Sequence, residues 1–202
     1  MRFPLLIFSL LIYTLTFGQI SSYYHQEDTI SKSIAIGWSN PMSLFLQKFN
    51  EERLGIYSDY HHFTEDNMFL KLHFKFHPQN TTLTLKMNHF LVSIEKGKLI
   101  KSFKNLVLGH GIGGYYKCNL ARTALGQGVQ AQWNATFHGF GIQYHLFSDL
   151  LITKEWCLNL LIHLNAGLHQ NFRSAIINPN NEVWELTSAN QQLFSIGIKK
   201  RF

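Results

Sequence analysis

Apolar and polar residues alternate with period two along most of the chain. In 67–77, Met68, Leu70, Leu72, Phe74 and Phe76 share one face, while Lys71, His73, Lys75 and His77 share the other; Phe69 is out of step. In 81–94, Leu83, Leu85 and Met87 oppose Thr84, Lys86 and Asn88, and in 103–116, Leu106, Leu108, Ile112 and Tyr116 oppose Asn105, Gly109, Gly111 and Gly113. In 134–147, Phe140, Ile142, Tyr144 and Leu146 oppose Gly139, Gly141, Gln143 and His145. In 150–170, the run from Trp156 to Leu168 sets Leu158, Leu160, Ile162 and Leu164 against Asn159, His163, Asn165 and His169. The last twelve residues set Phe194, Ile196, Ile198 and Phe202 against Ser195, Gly197, Lys199 and Arg201. Successive side chains of a strand point to opposite faces, so each segment is predicted to be a strand.

These segments run for about ten residues, longer than the five or six of an average globular strand and close to the 9–11 that a tilted strand needs to cross a bilayer. A soluble barrel or sandwich has the same alternation with its apolar face inward. Strand length, together with the export signal described below, points instead to an apolar face turned outward to lipid. Lipid offers no hydrogen-bond partners to a sheet edge, so such a sheet has to close. The predicted fold is all-β, a closed antiparallel up-and-down transmembrane barrel.

Segments 33–38, 43–49 and 54–62 also have strand character, and counted separately they give nine strands. Bacterial single-chain barrels have even numbers. Joining 33–49 into one strand kinked at Asn40-Pro41 gives eight; the alternative has Asn40 capping a short helix over Met42–Phe49. Eight strands put short turns near 63–66, 95–102 and 148–149. The opposite connections fall near 50–53, 77–80, 117–133 and 171–190, and the two long ones are the expected exterior loops.

The first residues, MRFPLLIFSLLIYTLTFGQ, carry Arg2, then an uncharged apolar run, then Thr16 and Gly18 as small residues before Gln19. This is the layout of a secretory signal peptide over 1–18, which leaves 19–202 as one barrel domain. The rest of the composition narrows the possibilities further. With 46% apolar and 15% charged residues among 202, the chain is not disordered. The net charge of +6 is scattered rather than clustered, so no nucleic-acid partner is expected.

The ending LFSIGIKKRF resembles the terminal strand of outer-membrane barrels, which typically closes on Phe with apolar residues at alternate positions. Phe194, Ile196, Ile198 and Phe202 fit that pattern and Lys200 departs from it. The resemblance implies that this strand is the signal read by the barrel-insertion machinery. Together with the cut before Gln19, it is similar to small outer-membrane barrels of Bacteroidetes, Gram-negative bacteria. Gly113-Gly114-Tyr115-Tyr116, the 134–170 strand pair and the last strand also resemble the conjugative-transposon TraO proteins.

Eleven histidines raise the question of metal or acid–base chemistry. The residues expected to line the lumen are Lys71, His73, Lys75, Lys86, Gln143, His145, Asn159, His163, Asn165 and His169. Lys199 and Arg201 add to a basic interior. No carboxylate is placed on the same faces, Asp59 being the nearest, so a polar hydrogen-bonded interior is expected rather than a metal site. No cofactor is expected either. His89 with Ser93 is the one pair similar in type to that of lipid-modifying barrel enzymes, and it matches no motif. An eight-stranded barrel is filled by its own side chains, so a plugged interior is expected over an anion pore. Glycines 109, 111, 113, 139 and 141 are read as space for bulky partners such as Tyr115 or the lysines, or as relief of crowding where the sheet bends strongly. Cys118 and Cys157 are expected to be free thiols at different heights.

The sequence therefore reads as a non-enzymatic outer-membrane barrel with a structural or interaction role. Its expected partners are outer-membrane lipid, the insertion machinery and other envelope proteins. The alternatives are a conjugative-transfer component, a lipid-modifying barrel enzyme, or a soluble secreted barrel binding an apolar ligand.

Overall fold

A computed structural model describes residues 32–41, 54–64, 67–80, 85–103, 105–123, 133–170, 183–188 and 194–202. The signal segment lies outside them, as does 42–49, where the alternative helix would fall. Nine strands form one antiparallel sheet: β1 Lys32–Ser39, β2 Gly55–Phe63, β3 Met68–Asn80, β4 Leu85–Phe103, β5 Leu106–Thr123, β6 Trp133–Leu151, β7 Trp156–Gln170, β8 Trp184–Ser188 and β9 Phe194–Arg201. Each of β1 to β7 pairs with its successor, and β9 pairs with both β7 and β1. The ring is therefore closed.

Nine strands make eight staves, because β8 and β9 run along the same edge of β7. β8 covers Ala166–Gln170 and β9 covers Trp156–Ile162. The last stave is thus one strand in two pieces. At its far end the ring is sealed between the chain's first and last described residues: Phe202 N–H donates to Lys32 O at 2.9 Å and Lys32 N–H to Phe202 O at 3.4 Å. Tracing partners from Leu158 through Ile198 and Ile36 once round the ring returns at Leu168, a stagger of ten residues. Such a stagger makes the strands tilt and leaves an interior just wide enough for side chains.

Several predicted boundaries are corrected. β1 ends at Ser39: Asn40 takes φ 56°, outside the extended region, so 33–49 is not one kinked strand. The stretch near 95–102 is not a turn, since β4 continues to Phe103 with a register shift between Leu99 and Lys101. The turn placed at 148–149 lies at 152–155, and 77–80 belongs to β3. β5 reaches Thr123 and β6 starts at Trp133, which shortens the predicted 117–133 loop, and Trp184–Ser188 of the 171–190 loop is strand. For the strands that run longer than predicted the physical reason is common. Polar and glycine-containing stretches read as turns, yet in a barrel the strands continue beyond the apolar band.

Polarity is inverted relative to a soluble fold. Ile36, Ile94, Ile112, Phe140, Ile142, Ile162 and Ile198 are exposed, while Asp59, Lys71, His73, Glu95, His145 and Lys199 are buried. Met87 breaks the predicted facing of 81–94, being buried with Leu91, Ser93 and Glu95. The inward residues of β4 are therefore the odd-numbered ones. Lys86 lies on the opposite parity from that predicted; its side chain is outside the described ones.

Candidate functional site

The interior is built in three levels, starting at the end that holds Lys32 and Phe202. Lowest is an apolar cluster of Ala35, Tyr57, Phe69, Val107, Phe147 and Leu161, with Phe63 and Leu99 against it. Phe69, out of step in the sequence, is inside because it packs edge-on to Phe147 at 5.5 Å. Beside this cluster, Lys199 Nζ donates to Asp149 Oδ2 at 2.6 Å and lies 4.7 Å from the Phe147 ring centre. Asn159 Nδ2 donates to Asp149 Oδ1 at 2.5 Å, and Tyr57 O–H donates to Asn159 Oδ1 at 2.9 Å.

Above it sits a buried ionic network. Lys71 Nζ lies 3.4 Å from Asp59 Oδ2, 4.0 Å from Glu95 Oε1 and 3.4 Å from His163 Nε2. An ammonium only donates, so His163 Nε2 is the acceptor in that contact. Asp59 also meets His73 Nδ1, and Glu95 meets His145 Nδ1. Ser93 Oγ donates to Glu95 Oε1 at 2.6 Å, and Gln143 Nε2 donates to the same oxygen at 2.9 Å.

The upper level carries His77, His89, Tyr115 and His169. His169 accepts or donates at both ring nitrogens, to Tyr115 O–H at 2.7 Å and to Thr187 Oγ1 at 2.9 Å. His89 Nδ1 lies 2.5 Å from Asn119 Oδ1.

This arrangement corrects the expectation of a basic lumen without carboxylates. Asp59, Glu95 and Asp149 are buried alongside Lys71, Lys75 and Lys199, so three negative charges stand against three positive ones. Burying unpaired charge costs several kcal/mol per ion, and pairing is what allows these groups to be inside. In the sequence the acids are masked by polar stretches that read as turns. Ending β4 before residue 95 excludes Glu95, and ending β6 at 148 excludes Asp149. The spacing Tyr57-Asp59-His61, alternating with exposed Ile56 and Tyr60, is the signal available for Asp59.

Of the other residues singled out, Lys71, His73, Lys75, Gln143, His145, Asn159 and His163 are buried, whereas Asn165 and His169 are half-buried. His89 and Ser93 share the inward parity but are not partnered with each other: Ser93 is held by Glu95 and Gln143, and His89 by Asn119. Among the described residues no group of three or more His, Cys, Asp or Glu side chains is arranged to hold a metal ion. Cys118 and Cys157 are both free thiols, Cys157 buried. The inward glycines make room for rings: a Cβ on Gly109 would lie 2.4 Å from the Phe147 ring, and one on Gly111 would lie 2.5 Å from His145 Cε1.

The outer surface completes the site. Tyr116 stacks on His138 and Phe140 lies 5.6 Å from Trp184 toward the upper rim, while Trp156 and Phe202 flank Lys200 Nζ at 5.5 and 5.1 Å at the lower one. Aromatic residues bounding an apolar band are the surface of a membrane barrel. No helix among the described residues is long and apolar enough to cross a membrane.

Fold and surface thus define the class: an eight-stranded antiparallel barrel with the polarity of outer-membrane barrels. A solved structure agrees on the fold. The chain is similar to a major outer membrane protein of Thermus thermophilus, with TM-score 0.53 and 7% identity over 85% of this chain and 98% of that one. Neisserial surface protein A also matches, with TM-score 0.47 and 9% identity over 85% and 94% of the two chains. The attachment invasion locus protein Ail of Yersinia pestis matches with TM-score 0.45 and 10% identity over 85% and 97%. No family model and no curated protein matches the sequence.

Proposed function

We propose that the chain is a small outer-membrane β-barrel, exported by residues 1–18, with a structural or interaction role rather than an enzymatic one. The observation that carries this reading is the inverted polarity: side chains such as Ile36, Ile142 and Ile198 are 55–65% exposed around a buried, charge-neutral network. In water so continuous an apolar surface drives association, whereas in lipid it costs nothing. The non-enzymatic role is supported by the engagement of the interior acids and of Ser93 in structural contacts. The termini and the short connections 64–67, 104–105 and 152–155 share one end, which is the periplasmic end in this topology. The connections at the other end, above all 124–132 and 171–183, would then meet the exterior and any partner there.

The test is extraction and gel mobility. The chain is expected to fractionate with outer membranes, to need detergent, and to migrate faster unheated than boiled. Recovery of folded protein from the aqueous phase without detergent would overturn the reading.

A further inference from the structure

Lys96 and Lys98 occupy successive outward positions of β4, and both are exposed. Lys96 stands between Leu70 and Ile112 on the neighbouring strands, and Lys98 between Met68 and His110. The outward residues before and after them on β4, Ile94 and Ile100, are each 60% exposed. The two lysines are therefore rooted within the apolar surface. A lysine on the lipid face of a barrel costs about 2–4 kcal/mol at the midplane and less nearer the interface.

Neither lysine takes part in an ion pair with a described residue. No described carboxylate faces outward from the ring strands: Asp59, Glu95 and Asp149 are all buried inside. The described exposed carboxylates, Glu155 in the 152–155 turn and Glu185 on β8, lie on neither β4 nor its neighbours β3 and β5, while Lys32, Lys200 and Arg122 are further basic residues on the outer surface. His110 adds a further donor opposite Lys98, its ring 5.8 Å from Tyr144. The lysine stems can lie along Leu70 and Ile112 while their heads reach toward the headgroup layer.

We infer that Lys96, Lys98 and His110 cradle the phosphate of an anionic phospholipid seated against the β4–β5 wall, in the leaflet nearer the termini. Three donors on two adjacent strands match the oxygens of one phosphate, and a wall with two lysines and no described outward carboxylate on β3, β4 or β5 selects against a neutral headgroup. The inference rests on the membrane-barrel reading.

The full-length barrel is to be refolded in detergent with equal amounts of phosphatidylglycerol and phosphatidylethanolamine, and its bound lipid read by native mass spectrometry. Phosphatidylglycerol is expected to be retained preferentially, by roughly fivefold for each lysine contributing. The preference should vanish in Lys96→Gln/Lys98→Gln, persist in Lys96→Arg/Lys98→Arg, and be unaffected by Arg122→Gln. Heat-modifiable mobility of each variant shows that it has folded. Equal retention of the two lipids by the parent chain, or a preference that survives Lys96→Gln/Lys98→Gln, would overturn the inference while leaving the barrel reading intact. Loss of a dimer in that variant without any change in lipid would assign the patch to a second copy and overturn it as well. A parent chain that folds without detergent would remove both readings together.

Discussion

At the residue scale, space and charge set different demands on the interior. Gly111 faces His145, and a Cβ there would fall 2.5 Å from the ring's Cε1. Gly114, three positions on, has its nearest atom at 3.9 Å. Gly111→Val is therefore expected to destabilise the barrel by about 1–3 kcal/mol, the usual range for overpacking, whereas Gly114→Ala should be close to neutral. The difference in urea midpoint measures it. Charge is tested at Lys71, which faces Asp59 and Glu95. Lys71→Met leaves buried carboxylates short of their cation and should cost about 3–5 kcal/mol. Adding Asp59→Asn should recover part of that loss, read from the same unfolding curves. Lys71, His73, Lys75, His145 and His163 were legible in the sequence from parity alone, whereas Lys86 was assigned to the wrong face and buried His61 was not singled out. The acidic partners were not legible, because residues 95 and 149 lie where polar composition suggested turns.

At the scale of the element, the seam between β1 and β9 closes the ring. Ser39 and Ser195 are partners in that register and both are buried. The adjacent bond from Asn40 N–H to Phe194 O makes 40 and 194 a hydrogen-bonded pair, so 39 and 195 form the closer, non-bonded kind. Ser39→Cys/Ser195→Cys is expected to form a disulfide in the folded protein only, identified by peptide mapping under non-reducing conditions. Failure to cross-link in folded material would refute the register. Alternation predicted β3, β6 and β7 well, since each carries long apolar stretches facing lipid. It did less well at β1, where Asn40 ends the strand through its own backbone conformation. It failed on the facing of β4, where Met87 is inside: the upper reach of that strand carries apolar residues on its inner side, with Ala121 and Phe137 around Met87.

For the whole molecule, one outcome follows from the filled interior and one from the closure of the ring. A barrel plugged by the Phe69–Phe147 cluster and the Lys71 network should give no steady conductance in planar bilayers. Step-like anion currents would contradict that. Assembly is the second. Phe202 exchanges backbone hydrogen bonds with Lys32, so deleting it removes part of the closure as well as the terminal aromatic of the insertion signal that the resemblance implies. The fraction of chain reaching the heat-modifiable form in membranes is expected to fall, while Phe202→Tyr should retain it.

The sequence by itself determined the inside-out polarity and the closed all-β architecture. Period-two alternation fixes which side chains share a face whatever the neighbouring strand turns out to be, and strands of bilayer-crossing length, beside an apolar leader, turn the apolar face outward and require the sheet to close. The tertiary structure decided the pairings. Which carboxylate meets which lysine, which ring fills the space above which glycine, and how two short strands combine into one stave all depend on a stagger of ten residues around the ring. That stagger brings together residues far apart in the chain, and no local pattern encodes it.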